Sequence, residues 1–494
     1  MIFGHGIDIQ TISQVKALVE RQPNFIAKIL TPAEQEEFNT RVGKHRFEFL
    51  AGRYAAKEAY GKALGTGIGR GLGWQQLQIT NDESGKPVFQ MHPKQKELRA
   101  YLSISHTDDL VKTSVILENL ATQEVSVSTH RPAWIEISAS ALAHNVDYIR
   151  NLTHAKKFVA VVKSNAYGHG SAQIVTAALR AGVDAFAVAT LDEGIWLRQF
   201  GVTLPIMILG EVEPQNLNLA VQNQLIVPVV SLAWLQSAQN NLSGATPLLV
   251  AVAVDTGMTR IGIRHVDELK AVVELIQTEQ HFKLHSIGMH FATADMADNT
   301  YYEQQLQRWH ALVDDLGLPK DVWRHLANSA TSLWHAVPST DAIRVGAGMY
   351  GFDASQGALQ PRDLQPVLQL KANLVQVKQV EAGTSVSYGA TYTTEQSAWI
   401  GTVPIGYGDG YLRKLQGGYG LLPDGRHVQI IGRIAMDQLM VVLPEAVPVG
   451  TTITLIGSVL NQQVTLEMLA DRLETIPYEV ATNLAARLPR YLID

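Results

Sequence analysis

Residues Val161 to Gly170 read VVKSNAYGHG, placing one lysine at the end of an apolar run with a glycine-bounded turn behind it. The run itself, Phe158 to Val162 (FVAVV), is short, β-branched and flanked by polar residues. That texture predicts a strand buried on both faces, as in a parallel α/β sheet. Lys163 then stands at the strand's carboxyl end, where ligands and catalytic residues collect in barrels and open α/β sheets. An amine partly desolvated there can lose its proton and form a Schiff base. Tyr167, four residues on, is within reach of the same site. On these residues alone, a solvated lysine leading into a loop remains the alternative.

Working outward, the chain from Trp134 repeats a rhythm of strand, loop and helix. Strands are predicted at Phe158 to Val162, Ala185 to Ala189, Pro205 to Leu209, Leu248 to Val254 and His285 to His290, with helices such as Ser171 to Ala181 and Tyr301 to Leu316 between them. This is the pattern of a parallel (β/α)8 TIM barrel, placed at residues 132–365. Beyond about residue 366 the texture changes. Val386 to Val403, Val428 to Ile434 and Thr451 to Ile456 are β-rich pieces separated by Gly and Pro, which predicts an all-β domain over 366–494.

Bulk composition bounds the rest. A chain of 494 residues, 46% hydrophobic and 17% charged, is an ordinary multidomain globular protein. It has no cysteine, which excludes disulfides and thiolate zinc sites. The opening MIFGHGIDIQ has neither the basic region nor the apolar core of a secretory signal. No run approaches the roughly 18 apolar residues of a membrane span. A cytoplasmic protein is expected, without a membrane partner. The net charge of −6 argues against nucleic-acid binding. Residues 1–119 carry 15 Lys and Arg against 13 Asp and Glu, and the remainder 25 against 33, so any basic bias lies at the N-terminal end.

Residues 1–119 form a module of their own, expected to be small and α+β. Ile2 to Ile9 reads as a strand with Asp8 near its end, and Phe47 to Leu64 (FEFLAGRYAAKEAYGKAL) as a helix on which Glu58 and Lys62 share a face. The pair is either an exposed ion pair or part of a site. In the second reading Asp8 and Glu58 are hard oxygen ligands for Mg²⁺, and Lys62 and Arg53 are point charges for phosphate. Gly65 to Gly69 (GTGIG), the turn Ser84 to Pro87 (SGKP) and Ser103 to Thr107 (SISHT, with His106) follow. In this order and spacing the motifs resemble the holo-acyl-carrier-protein synthase family. The resemblance implies Mg²⁺-dependent transfer of 4′-phosphopantetheine from coenzyme A to a serine of apo acyl carrier protein. It also implies Asp8 and Glu58 on the metal, with Arg53, Lys62 and His106 on the coenzyme. The sequence departs from the family at the first helix, where Ser13 and Gln14 stand at positions often basic, which bears on carrier recognition. The polar, aperiodic stretch Glu118 to Arg131 reads as a linker, placed at 120–131.

Further clusters fall at barrel strand ends or in the β domain: Val254 to Arg260 (VDTGMTR), Met289 to Asp295 (MHFATAD), His325 to Ser329 (HLANS), Arg344 to Gly351 (RVGAGMYG) and Ser385 to Tyr392 (SVSYGATY). With VVKSNAYGHG, PIGYGDGY (Pro404 to Tyr411) and GRIAMDQ (Gly432 to Gln438), they resemble alanine racemase across residues 132–494. That resemblance implies pyridoxal 5′-phosphate bound to Lys163. Its phosphate would be held by Tyr167, Ser329, Tyr478 and backbone N–H groups near Gly346. Interconversion of L- and D-alanine needs a base on each face of Cα, and the resemblance implies Lys163 on one and Tyr388 on the other, with Tyr388 reaching in from a second copy of the chain. Arg344 would face the pyridine nitrogen, with His290 and His325 linking it to Tyr388. Arg260, Met436 and Tyr407 would contact the substrate. A lysine, often carbamylated, stands seven residues before the equivalent of Arg260 in the family, and here that position is Ala253.

The expectation is therefore a bifunctional homo-oligomer: a racemase dimer for cell-wall D-alanine supply, with a possible trimeric contact through the first module. Three alternatives stay open. The barrel could only carry the cofactor, although that class lacks a β domain and a second base. It could be a basic amino-acid decarboxylase, which would call for a cysteine and an acid opposite the pyridine nitrogen. Finally, the first module could be a non-catalytic assembly domain.

Overall fold

A computed structural model describes residues 2–494 apart from 23, 70, 83–84, 96, 120–126 and 337–339. The chain divides into two compact units, residues 1–125 and 126–494. Most of the expected linker, and Ser84 of the expected SGKP turn, lie outside the described residues.

The first unit is built on a three-stranded antiparallel sheet in which Leu110–Asn119 pairs with Ile2–Thr11 on one side and Leu98–Thr107 on the other. The helix Lys44–Leu64 packs on this sheet. Contact is close because of glycine: a Cβ at Gly4 or Gly6 would stand 2.0 Å from the carbonyl oxygen of Ala63 or Ala59. Behind the helix a buried ion pair ties the unit together. Lys57 Nζ donates to Glu34 Oε2 at 2.7 Å and to the carbonyls of Ile29 (2.7 Å) and Trp74 (3.2 Å). Glu34 also closes the Thr31 capping box and accepts the Ile79 N–H at 3.0 Å. Every partner is satisfied, as a buried pair requires.

In the second unit, eight parallel strands run in the order Trp323–His325, Phe282–Gly288, Leu248–Ala253, Ile226–Val229, Ile206–Ile208, Ala185–Val188, Lys157–Val161, Ala342–Val345. The two end strands approach each other, bridged by Asp341 N–H to Arg324 O (2.8 Å) and Arg344 N–H to Ala327 O (2.9 Å), so the barrel is nearly closed. Its interior is packed with small and medium side chains, among them Val159, Val161, Ala185, Ala187, Met207 and Ala251.

Most of the remaining strands join one ten-stranded, largely antiparallel sheet. Here the structure redraws the expected boundary at residue 132. Ala133–Ser138 is not a barrel strand. It pairs antiparallel with Leu368–Asn373 and parallel with Arg490–Ile493, inside the sheet of the β domain. Its strict alternation of buried and half-buried residues is that of a sheet covered on one face, whereas the barrel strand Ala185–Val188 is buried throughout. Among the described residues no helix is long and apolar enough to cross a membrane.

Candidate active sites

Lys163 follows the barrel strand Lys157–Val161 directly after Val162, two residues beyond the strand's observed end. The expected glycine-bounded turn is tighter than its sequence suggests. Ser164, Asn165, Ala166 and Tyr167 have φ of 54°, 52°, 52° and 53°, four consecutive non-glycine residues in the left-handed region. Each costs roughly 1–2 kcal/mol relative to a right-handed conformation. Tertiary contacts hold them. Glu193 Oε1 accepts the Ser164 N–H at 2.6 Å, Asn165 Oδ1 accepts the Ser171 N–H at 2.9 Å, and the Gly168 carbonyl accepts Arg490 Nε at 2.9 Å. Gly168, at φ 79°, lies where a Cβ would stand 1.9 Å from Ala481 O. The turn drops the Tyr167 side chain back over the barrel mouth. No short-range signal in SNAY announces this, since only Asn favours the left-handed region.

Tyr167 Oη stands over Gly346, where a Cβ would approach it to 2.5 Å. The N–H groups of Gly346 and Gly348 donate to Ser329 Oγ at 3.0 and 3.3 Å. The Tyr478 ring lies 6.1 Å from that of Tyr167. The structure therefore brings Tyr167, Ser329, Gly346 and Tyr478 together. Burial pushes the Tyr167 hydroxyl up to about 12 and that of Tyr478 upward as well, so both are neutral donors at ordinary pH.

Arg344 is buried on its strand. It donates to His325 Nδ1 and to the carbonyls of His325 and Met289 (2.6 Å), and His290 Nδ1 lies 3.4 Å away. These partners are all neutral. Burial, then Arg344 itself, lowers His290 to about 3 and holds His325 well below the usual imidazole range. Burial, and secondarily Arg260, lowers Arg344 to about 10. The same two causes lower Lys163, with Glu193 acting in the opposite direction. Lys163 and Arg344 are thus both within electrostatic range of Arg260, and Glu193 counters that charge at Lys163. Asp255, close by in sequence, is occupied by the Gly257 and Thr259 N–H groups and by Arg264 at 3.7 Å.

Three candidates do not join this cluster within one chain. Tyr388 is 71% exposed and Met436 54%, and Tyr407 is also exposed. Tyr388 sits on a turn forced by Ser387 (φ 67°), Gly389 (75°) and Ala390 (48°), and Ser387 Oγ fastens that turn to the Arg433 carbonyl. The expected link from His290 and His325 to Tyr388 is not made within the single chain, because Tyr388 points to solvent. Arg260 is likewise exposed on its loop.

In the first unit, Asp8 is 8% exposed and accepts Lys62 Nζ at 2.8 Å and Gln10 Nε2 at 2.7 Å. Glu58 is raised by burial and then by repulsion from Asp8. The two carboxylates therefore lie within electrostatic range of one another, with the Lys62 ammonium bonded to Asp8. Among the described residues there is no group of three or more metal-ligating side chains. His106, on Leu98–Thr107, is exposed. Arg53 differs from expectation. Phe49, Arg53 and Lys57 recur at four-residue spacing on the helix's inner face, and Arg53 is buried against the Phe49 ring (4.3 Å), Asn81 (3.1 Å) and Glu37 (3.6 Å). It already has a carboxylate partner, so it is not the free phosphate charge that its sequence position suggested.

Comparison with known proteins agrees with this division. Family models match residues 4–116 as the 4′-phosphopantetheinyl transferase superfamily, 137–354 as the alanine racemase N-terminal domain and 367–492 as its C-terminal domain. The alanine racemase of Lactiplantibacillus plantarum is 44% identical over 379 residues, 75% of this chain and 100% of the relative. The lysine racemase of Oenococcus oeni is 42% identical over 370 residues, 74% of this chain and 99% of the relative. Among solved structures, alanine racemase from E. faecalis superimposes with TM-score 0.71 at 42% identity, covering 75% of this chain and all of the other. The histidine racemase from Leuconostoc mesenteroides subsp. sake gives 0.72 at 34%, covering 74% and 100%. The chain belongs to the alanine racemase family, with a 4′-phosphopantetheinyl transferase superfamily domain ahead of its racemase module.

Proposed function

We propose that residues 126–494 form a pyridoxal-phosphate-dependent racemase that interconverts L- and D-alanine in the cytoplasm, with Lys163 and Tyr388 as the two bases. The observation that carries this reading is Arg344: a buried guanidinium whose partners are all neutral, in one cluster with a desolvated lysine. Such a cation set suits an anionic ligand. The residues also fit the cofactor's shape and charge. Tyr167, Ser329 and Tyr478 supply hydroxyl donors for a phosphate at the barrel mouth, a common phosphate position in this fold, and the Gly346 and Gly348 N–H groups, which donate to Ser329 Oγ here, would turn to it. When bound, the cofactor supplies the electron sink that makes the Cα proton of an amino acid removable.

The chain's own groups then decide what happens to that proton. Lys163, lowered by burial and Arg260, takes or returns it on one face. Tyr388, from a second copy's β domain, does so on the other, which gives its exposure in the single chain a purpose and calls for a homodimer. A guanidinium donates hydrogen bonds and does not surrender its proton. Arg344 therefore leaves the ring nitrogen uncharged and the sink weak, favouring return of the proton to Cα. Arg260 and the Met436 backbone hold the substrate carboxylate, with Tyr407 beside them. Lysine and histidine racemases among the relatives make the amino acid itself an experimental question.

Purified protein is expected to convert L-alanine to D-alanine, read with a D-amino-acid oxidase; a preparation with full cofactor and no D-alanine would reject the reading. Tyr388→Phe is expected to lower racemisation about 10²–10³-fold, the usual worth of a positioned acid or base. Exchange of the Cα hydrogen with solvent from the Lys163 face should persist, and its equal loss would argue against separate bases.

The apo protein offers a pH test. Capture of pyridoxal phosphate by Lys163 requires the neutral amine, so its rate should rise with pH through a midpoint below the usual lysine value of about 10.4. Arg260 contributes to that lowering. Removing its charge in Arg260→Gln restores the protonated form and should move the midpoint upward. A downward or absent shift would contradict the assignment.

For the first unit we propose transfer of 4′-phosphopantetheine from coenzyme A to apo acyl carrier protein. Asp8 and Glu58 are two hard oxygen donors within electrostatic range of each other, and they fit Mg²⁺ provided that phosphate and water complete its octahedron. Lys62 and His106 would face the coenzyme, while Arg53 braces the helix that carries Glu58 and Lys62. The second reading, an assembly domain without activity, predicts no mass increase of the carrier protein.

A further inference from the structure

The barrel strand Phe282–Gly288 contains two residues that none of the motifs singles out. The parallel register sets Ser286 beside Ala251 and Trp323, and Gly288 beside Ala253 and His325. Side chains alternate along a strand, so positions 286 and 288 face the same side, and both meet the His325 ring. Ser286 Oγ lies 3.2 Å from His325 Nε2. A Cβ on Gly288 would stand 2.1 Å from His325 Nδ1 and 2.2 Å from Cε1, so the ring rests where a side chain would be. Ser286 is fully buried, and His325 and Arg344 are nearly so.

The hydrogen-bond directions follow from chemistry. A guanidinium only donates, so His325 Nδ1, bonded to Arg344 Nη1, must accept and carry no proton. A neutral imidazole then carries its hydrogen on Nε2, where the Ser286 oxygen receives it. We propose that Ser286, with Gly288 as the ring's seat, is a positioning residue: it accepts the Nε2–H of the His325 tautomer that Arg344 imposes, and so holds the ring that keeps Arg344 as a donor toward the cofactor ring. The proposal rests on the racemase reading. Without the Ser286 oxygen a buried N–H is left unsatisfied, which is costly, and the other tautomer would point its N–H at Arg344.

The test compares Ser286→Ala with Ser286→Thr, which keeps the oxygen, in the cofactor-loaded full chain. In Ser286→Ala, kcat should fall about tenfold with little change in KM, and pyruvate released per alanine racemised should rise several-fold, because a loosened Arg344 no longer keeps the ring nitrogen unprotonated. Ser286→Thr should recover most of both. Unchanged kcat and pyruvate partition in Ser286→Ala, or equal impairment by both variants, would overturn the proposal. An independent readout is ¹⁵N NMR of histidine-labelled protein, with His325 assigned from His325→Gln. Wild type should show hydrogen on Nε2, and Ser286→Ala a mixture; hydrogen on Nδ1 in wild type would overturn the inference. The tautomer can be read even if wild type proves inactive toward alanine, so failure of the racemase reading is distinguishable from failure of this one.

Discussion

Lys163→Ala is expected to lower racemisation by about 10⁴-fold or more, at least 5 kcal/mol of transition-state stabilisation at roughly 1.36 kcal/mol per decade. Two contributions combine. A positioned base is worth about 10²–10⁴-fold by itself, and the same amine is the covalent anchor of the cofactor. No neighbour can substitute. Arg260 and Arg344 are effectively permanent cations, and His290 has been lowered to about 3 and accepts at its Nδ1 side near Arg344. The fold should tolerate the change, because Lys163 is only partly buried and the left-handed turn is held by Glu193, Asn165 and Arg490. Borohydride reduction followed by mass measurement should trap cofactor on wild type and none on the variant. A variant with wild-type turnover and an unchanged melting temperature would remove Lys163 from the mechanism.

Asp8→Ala should lower phosphopantetheine transfer about 10³-fold, roughly 4 kcal/mol, while leaving racemisation intact. Asp8 is nearly buried, and its two oxygens are aligned by Lys62 and Gln10. Truncation removes one of the two carboxylates assigned to the metal and takes from Lys62 the acid it is bonded to. A metal held by Glu58 alone would be weakly bound and misplaced relative to the pyrophosphate. The measurement is the mass of apo acyl carrier protein after incubation with Mg²⁺ and coenzyme A. Equal modification by wild type and variant would sink the metal assignment, and no modification by either would favour the assembly domain. Racemase turnover in the same preparation serves as the folding control.

Much of this architecture was legible because buried parallel strands announce themselves. FVAVV and the runs at 185–189 and 248–254 are continuous and apolar, and the barrel strands appear there within a residue or two. Of the residues at the barrel mouth, Tyr167, Ser329 and Gly346 follow strand ends, whereas Tyr478 lies on the helix Pro477–Thr482. What escaped was set by contacts distant in sequence. Nothing in SNAY specifies four left-handed residues; Glu193 and the chain near Ala481 and Arg490 impose them. Arg53 was read by its charge, whereas its four-residue spacing with Phe49 and Lys57 already put it on the inner face. Ser286 and Gly288 carry no motif and matter only once His325 lies against them. Strand Ala133–Ser138 did carry a signal, the period-two alternation of AWIEIS, which sets it apart from the barrel runs.

That strand has a consequence for how the protein is made. It lies between Leu368–Asn373 and Arg490–Ile493, so it emerges from the ribosome more than two hundred residues before its first neighbour and some three hundred and fifty before its second. The first unit can close its own sheet once residue 119 is synthesised. The racemase sheet remains open until residues 490–493 are released. Nascent chains stalled short of 490 should therefore expose an unpaired edge, and translation pauses late in the message would fall hardest on this module. The same adjacency places the module's start beside its end, a natural point for joining the two in a circularly permuted chain.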